Sequence, residues 1–479
     1  MASDDDAGLE AIFRTGHEVG QLATKRYPGG ILVEENYLHQ AEAREATQKA
    51  LRTEVPAIFE AAFIHERVKV RIDVLRRAAR GWDIIEAKST LSAKAVHVHD
   101  LAVQTWVARG AGVHVRHAGV LTLNRDYVYQ GGAHDANRLF VLHDKTEEVE
   151  DLLGQIDANV QVLHAMLRQP EAPAVRPGTH CFKPYDCPFY GHCTRDVAQP
   201  DHPLSELRLS AADEQQLVAS GVTEVAHIPG DLELSEQKEG WRRAITTGVP
   251  WVNRKGLHEA LASVTYPVHH FDFETFGAAL PRIVGTSPYG VVPFQWSNHI
   301  QEEDGSVRHE EFLWRERSDP RPACIEAFLR SLGTSGSICV YSSYEAQCFR
   351  RLMREFPEYE KDIAALLPRL WDLLPIVRAH VYHPDFRGSF SIKSVLPALV
   401  PSLSYERMEI ADGGTASFAY LDAFNSQDDA QRSRTFGALQ KYCEKDTLAM
   451  LELRRALTAL APAQGVNPMK KENRQDDDE

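Results

Sequence analysis

"VHHFDFETFGAALP", Val268–Pro281, alternates aromatic and acidic residues at its centre. Successive side chains of a strand point to opposite faces, so Phe271, Phe273 and Thr275 share one face and Asp272 and Glu274 the other. Two carboxylates side by side on a half-buried strand repel each other unless water or a divalent cation lies between them. A bare Asp-x-Glu is equally at home on a solvated strand face. Acids further along the chain decide between the two.

Such acids occur in two places. "SICVYSSYEAQCFRRLMREF", residues 337–356, has the pattern of a buried strand, a Ser-rich turn and an amphipathic helix, with Glu345 in the first helical turn. "ALQKYCEKDTLAMLELRRAL", residues 438–457, is a periodic helix carrying Tyr442 and Asp446 four residues apart, hence on one face. Asp272, Glu274, Glu345 and Asp446 then make a set, with a phenol beside the last and Asp372 as a further candidate ligand. Oxygen-only ligands suit Mg²⁺ or Mn²⁺. Phosphodiester hydrolysis uses such a set, because two divalent ions activate the attacking water and stabilise the leaving oxygen. A tyrosine near that water can orient it.

"FDFET", "VYSSYEAQCF" and "YCEKD" resemble the three motifs of the DnaQ-like, RNase H-fold 3′–5′ exonucleases that use four acidic residues. The resemblance implies that Asp272 and Glu274 are shared metal ligands and that Glu345 takes the place of the second-motif Asp. It makes Tyr442 and Asp446 the Tyr-x-x-x-Asp of the third motif. "LWDLLPIVRAHVY" and "GSFSIKSVLPALVP" fall where such enzymes place a helix and a Ser-Leu-Lys-like turn.

The first half holds a different pattern. In "RIDVLRRAARGWDIIEAKS" Asp73 lies on one expected strand, and Glu86 and Lys88 share a face of the next. An acid can hold a metal while a neighbouring lysine steadies the attacking water or the phosphate. The spacing resembles the RecB-like PD-(D/E)xK nucleases, which implies Mg²⁺ or Mn²⁺ on Asp73 and Glu86, Lys88 as catalytic lysine and Gln104 on the substrate side. Val70 stands where that family has Gly, and Ala108 where it has Tyr. Glu60 in "IFEAAF" is either a further acid or a core-edge glutamate.

"HCFKPYDCPFYGHC" follows, with Cys181, Cys187 and Cys193 but without the paired Cys-x-x-Cys knuckles of a Cys₄ zinc site. Related RecB-like nucleases carry three cysteines here and one far upstream, together holding a [4Fe–4S] cluster. No cysteine precedes Cys181, so the resemblance implies a fourth ligand that this chain lacks. The alternatives are a start further upstream, a lost segment, a histidine ligand (His180 or His192), or no cluster.

The totals agree with a folded multidomain protein. A chain of 479 residues exceeds one ordinary core, and 43% hydrophobic residues is normal for a globular protein. No run has transmembrane length and the "MASDDDAGLE" start lacks signal-peptide charge order, so a cytoplasmic location is expected. Seven scattered or loop-clustered cysteines are not a disulfide framework. The net charge of −15 excludes a general nucleic-acid coat, yet residues 51–117 hold 11 Lys and Arg against 7 Asp and Glu.

The expected fold class is α/β, an N-terminal PD-(D/E)xK (RecB-like) fold plus a C-terminal RNase H-like (DnaQ-like) fold. The expected domains are 1–200, a helical bridge at 201–262, 263–462 and a disordered tail at 463–479. "DEQQLVASGVTEVAHIP" within the bridge fits either a helix-hairpin-helix or a plain helical linker. The whole order resembles a bacterial domain-of-unknown-function family that fuses two nuclease-like domains. "VPFQWSNHI", "GSFSIKSVLP" and "YCEKDTLAM" carry that likeness. A metal-dependent nuclease acting on DNA is expected. An RNA exonuclease, or a nucleic-acid-binding scaffold with one or both sites inactive, are the alternatives.

Overall fold

The computed structural model describes residues 4–35, 38–197, 199–403, 408–410 and 412–461. The expected tail at 463–479 lies outside the described residues. The chain divides into two compact units, Met1–Ala198 with Gly277–Val291, and Gln199–Phe276 with Val292–Glu479. Both are α/β, and each is built on a mixed sheet.

Apolar alternation in the first unit produces six strands: β1 (Ile31–Leu32), β2 (Ala57–His65), β3 (Val68–Ala78), β4 (Gly81–Lys88), β5 (Val115–Leu123) and β6 (Phe140–Asp144). They lie in sequence order in one sheet. β2, β3 and β4 form an antiparallel meander, whereas β4 and β5 run parallel. A parallel pair needs a crossover, supplied by the helix Ala95–Gly110. Glu66 and Arg67 close the β2–β3 hairpin at φ 44° and 64°, the left-handed geometry that suits a two-residue turn. Gly81 (φ 99°) opens β4 where a Cβ would lie 2.3 Å from the His114 carbonyl oxygen, so only glycine fits.

Two apolar clusters hold this unit. Helices Gln40–Leu51, Ala95–Gly110 and Thr146–Leu167 bury Ala43, Leu101 and Ile156 among Ile58, Phe63, Leu75 and Ile84. Helix Asp4–Thr24 places Val19 and Ala23 among Phe59, Val74 and Leu121. Ala279 and Leu280 of the 277–291 segment join this second cluster.

The second unit contributes β7 (Trp251–Val252), β8 (Val268–Phe276), β9 (Val292–Gln301), β10 (Val307–Leu313), β11 (Ser337–Val340), β12 (Leu370–Asp372) and β13 (Val381–Tyr382). Five of them form a sheet in the order β10-β9-β8-β11-β12. β10, β9 and β8 are antiparallel, and β11 and β12 run parallel to β8. β8 is therefore central. Its Phe271 and Phe273 meet Phe328 and Phe349 at ring-centroid distances of 5.5–6.5 Å, which docks the helices Arg321–Leu332 and Tyr344–Glu355 on that face. The helix Asp429–Leu460 packs against β8 and β9 through residues such as Thr447.

Residues 201–262, expected as a separate bridge, are part of the second unit's core. Leu207, Trp241, Ile245 and Leu257 are buried in one cluster with Leu373, Tyr382, Phe390 and Leu453. Trp241 stacks on Tyr382 at 4.9 Å between centroids. The helix-hairpin-helix alternative does not form. Within that stretch helix Ala211–Ala219 is followed by a single 3₁₀ turn, Val225–His227, and the next helix, Glu236–Thr247, starts beyond it. Among the described residues no helix is long and apolar enough to cross a membrane.

Phe271 is fully buried between the two helices. Phe271→Ala is expected to cost about 3–5 kcal/mol, read as a lower urea midpoint for the transition that includes the second sheet.

Candidate active site

β8 reads V-H-H-F-D-F-E-T-F, so its aromatics take one face and His270, Asp272 and Glu274 the other. Asp272 pairs across the ladder with Ser297 and Glu274 with Gln295, both on β9. Ser297 Oγ lies 2.7 Å from Thr447 Oγ1, and Gln295 Nε2 donates to the Leu439 carbonyl at 2.9 Å, so this face lies under the last helix. That helix begins with Asp428 as N-cap, whose carboxylate accepts from the amides of Ala430 and Gln431. Its face toward β8 carries Tyr442, Cys443 and Asp446. One carboxylate oxygen each of Asp272 and Glu274 and the Cys443 sulfur lie within 4.8 Å of one another.

Glu345 arrives from the opposite side of the strand. β11 ends at Val340, and the helix Tyr344–Glu355 starts four residues later with Glu345 in its first turn, 3% exposed. The Tyr344 hydroxyl bonds Thr275 Oγ1 on β8 and so ties this turn to the strand. Glu345 and Asp272 share a hydrogen bond, while Glu345 Oε2 is buried without a protein partner. The Tyr442 hydroxyl donates to the Asp446 carboxylate. The four acids and the phenol expected from sequence are thus brought together.

The electrostatics follow from crowding. Burial, and then the charges of Glu345, Asp446 and Glu274, push Asp272 well above the usual carboxylate range. Burial and the Asp446 charge do the same to Glu274, partly offset by Lys393. Burial, with a contribution from Asp372, pushes Glu345 up to about 7. Burial and the neighbouring acids raise both the Tyr442 phenol and the Cys443 thiol, so both stay protonated at neutral pH. Oxygen donors, an orphaned buried carboxylate oxygen and mutual repulsion fit a hard divalent cation, which would let all the acids ionise.

Three further residues belong to this group. Asp372 accepts from the Leu374 amide at 2.9 Å as an N-cap while its charge acts on Glu345. Lys393, in the first turn of helix Ile392–Leu399 ("SIKS"), and Asp412, the N-cap of helix Gly413–Asn425, both act on Glu274. Sequence analysis singled out the turn but neither residue. The signal for Asp412 was "DGGTAS", an acid directly before a helix start.

The first unit gathers its own group. Asp73 Oδ2 accepts the Ala87 amide at 2.8 Å, which docks β3 on β4 beside Glu86. Lys88 Nζ lies 2.9 Å from Glu86 Oε1 and 3.1 Å from Asp100 Oδ2. Gln104 Nε2 donates to Glu86 Oε2 at 2.7 Å, so Gln104 holds the glutamate directly. Burial and the Glu86 charge raise Asp73 well above its usual range. Burial opposes charge on Lys88, but Glu86 and Asp100 outweigh it and raise its pKa. Asp100, on the Ala95–Gly110 helix, was not foreseen. Glu60 has φ 56° within β2 and reaches Arg71 Nε at 3.4 Å, and its charge contributes to raising Asp73.

Cys181 is buried, and Cys187 and Cys193 are half-buried. The first unit contains no other cysteine, so its thiols are one short of a four-thiolate cluster.

Residues 269–391 match a family described as "Domain of unknown function (DUF2779)". The match includes Asp272, Glu274, Glu345 and Asp372 and ends before Tyr442 and Asp446. The "Uncharacterized protein MG366 homolog" of Mycoplasma pneumoniae is 26% identical over 206 residues, which cover 38% of this chain and 31% of that protein. The chain therefore spans less than a third of that relative's length. No solved structure matches the chain.

Glu345 sets a pH dependence. An unfolded glutamate titrates near pH ~4.3, whereas the folded one titrates at about 7. Between these values the folded chain holds a proton that the unfolded chain releases, so stability falls as pH rises through that window. In metal-free buffer the unfolding temperature is expected to fall from about pH 5 to about pH 8. Mn²⁺ should reverse the fall, and Glu345→Gln should lessen it, leaving the part that Asp272 and Glu274 contribute in the same direction.

Proposed function

We propose that this chain is a metal-dependent nuclease that hydrolyses DNA phosphodiester bonds, removing nucleotides 3′ to 5′ at the carboxylates of the second unit. The Asp73–Glu86–Lys88 group is a second, RecB-like site. The observation that carries this reading is the convergence of Asp272, Glu274, Glu345 and Asp446, each from a different point in the chain or strand, with Tyr442 bonded to Asp446. An RNase H-like fold for the second unit is supported by a sheet of three antiparallel strands followed by two parallel ones, with the first acidic motif on the central strand. A PD-(D/E)xK fold for the first is supported by the helix, β-meander, helix, parallel-strand order from Gln40 to Leu123.

Asp272, Glu274, Glu345 and Asp446 would hold Mg²⁺ or Mn²⁺. When bound, two such ions supply an ionised water and neutralise charge at the leaving oxygen. Tyr442 keeps its proton, donates a hydrogen bond to the Asp446 carboxylate and presents its phenol oxygen to a water as acceptor. Lys393 is exposed beside Glu274 and offers a cation to a phosphate approaching the acids. In the first unit Lys88 stays charged between Glu86 and Asp100 and acts as a point charge for phosphate.

The test is purified protein with Mn²⁺ against 5′- and 3′-labelled single-stranded DNA, duplex DNA and RNA. Asp446→Asn and Asp272→Asn are each expected to lower 3′ digestion by about a thousandfold or more, since each removes several kcal/mol of charge stabilisation. Tyr442→Phe loses one hydroxyl and should cost about tenfold. Digestion by Asp446→Asn at the wild-type rate would show that these acids are not the catalyst. Preference for RNA would make the enzyme an RNA exonuclease, and inactivity with every metal would leave a binding scaffold.

Lys88→Ala is expected to abolish any endonucleolytic or 5′ cutting while leaving 3′ digestion at the wild-type rate. Loss of both activities together would mean that the two groups do not act as separate centres.

A further inference from the structure

Two buried arginines of the second unit differ in how their charge is balanced. Arg321, 3% exposed, pairs with Asp319 at 2.8 Å and with Glu355 at 2.8 Å. Arg454, 6% exposed, has no carboxylate within ion-pair distance among the described residues. Its Nη2 donates to Gln301 Oε1, and its Nε to His270 Nε2 at 3.3 Å. His270 Nδ1 lies 3.0 Å from the His299 carbonyl, which fixes the proton on Nδ1 and leaves Nε2 as an acceptor. One protonated and one accepting ring nitrogen make this imidazole neutral. Both hydrogen-bond acceptors of the Arg454 side chain are therefore uncharged, and its guanidinium also lies 5.8 Å from the centroid of the Tyr266 ring.

A guanidinium keeps its charge in proteins and has five donors, of which these bonds use two. An unbalanced buried charge is costly, and proteins ordinarily pair it. Here Arg454 lines a cavity of 380 Å³ together with Arg455, Thr458, Leu261, Val264 and Tyr266. The lining combines two guanidiniums, Arg454 over the Tyr266 ring and Arg455 paired with Glu452 at 2.7 Å, with the apolar Leu261 and Val264. The volume is at the small end of the roughly 300–1,000 Å³ range of ligand pockets. Arg454 lies eight residues beyond Asp446 on one helix, about 12 Å along the axis, so this cavity is separate from the acids.

We propose that this cavity binds an organic monophosphate, with the phosphate on Arg454 and Arg455 and a ring against Tyr266, Leu261 and Val264. The choice of a nucleoside monophosphate as that ligand rests on the nuclease reading, since it is the product that stepwise digestion releases. The anion supplies the missing countercharge to Arg454, and the ring fills the apolar wall. His270 and Asp272 are two residues apart on one face of β8, so the Arg454–His270 bond links the cavity to the strand that carries the acids.

Isothermal titration of the full-length protein in metal-free buffer tests this without turnover. The ligands are dAMP, ribose 5-phosphate, inorganic phosphate and deoxyadenosine. dAMP is expected to bind more tightly than inorganic phosphate, and deoxyadenosine not to bind. Arg454→Met should weaken dAMP by about tenfold or more, the worth of a charge-assisted hydrogen bond. No binding of any phosphate at millimolar concentration, or unchanged dAMP affinity in Arg454→Met, would overturn the proposal. Should that variant fail to fold, Arg455→Ala, at a half-exposed position, decides it: unchanged dAMP affinity overturns the site. Ribose 5-phosphate binding as tightly as dAMP would overturn the nucleotide assignment. Binding of dAMP by a protein without nuclease activity would keep the cavity and reject the nuclease reading.

Discussion

Two like charges held on one face of a central strand, under a helix, govern the second unit. Asp272 and Glu274 lie on β8 beneath the Asp429–Leu460 helix, where burial and mutual repulsion drive both toward the protonated form. A chain keeps such a pair only if the rest of the fold holds the strand in place. β9 and β11 bond β8 on either side, and Phe271 and Phe273 clamp its other face onto Phe328 and Phe349. The apolar side thus fixes the position of the polar side.

The helix–sheet seam is polar well beyond the acids. Every residue of β9 is buried, yet its inward positions toward the last helix are Gln295, Ser297, His299 and Gln301. Thr447 bonds both Ser297 and His299, and the Leu439 carbonyl takes Gln295. Buried polar groups need such partners, and satisfying them sets the register of helix on sheet more tightly than apolar packing would. The seam carries excess negative charge around Asp446 and an unbalanced positive charge at Arg454.

The first unit solves the same problem differently. There a lysine is built in, so Glu86 is compensated by Lys88 and braced by Gln104, while Asp73 keeps a backbone amide. The ladder passes from Phe59↔Val74 to Ala61↔Ile72 without pairing Glu60 with Asp73. Glu60 occupies a left-handed conformation at that point, an uncommon state for a non-glycine residue and one that concentrates where a site needs a particular geometry.

Local periodicity determined which side chains share a face. The two-residue period of "FDFET" put Asp272 beside Glu274, that of "EAK" put Glu86 beside Lys88, and the four-residue helical spacing put Tyr442 beside Asp446. Periodicity says nothing about which faces meet. Lys393, Asp412 and Asp100 carry no local pattern that points at an acid site, and they join one only because a turn, a cap and a crossover helix pack there. The bridge at 201–262 looked independent because its helices are short, but its buried tryptophan and leucines had to find a core, and they found that of the second sheet. Arg454 and His270, 184 residues apart, form their bond across the seam. The sequence by itself determined the strands, the helices and the acids each one carries, because hydrophobic period and side-chain direction are local properties. The tertiary structure alone decided which charges are left unbalanced, because balance depends on burial and on neighbours distant in the chain.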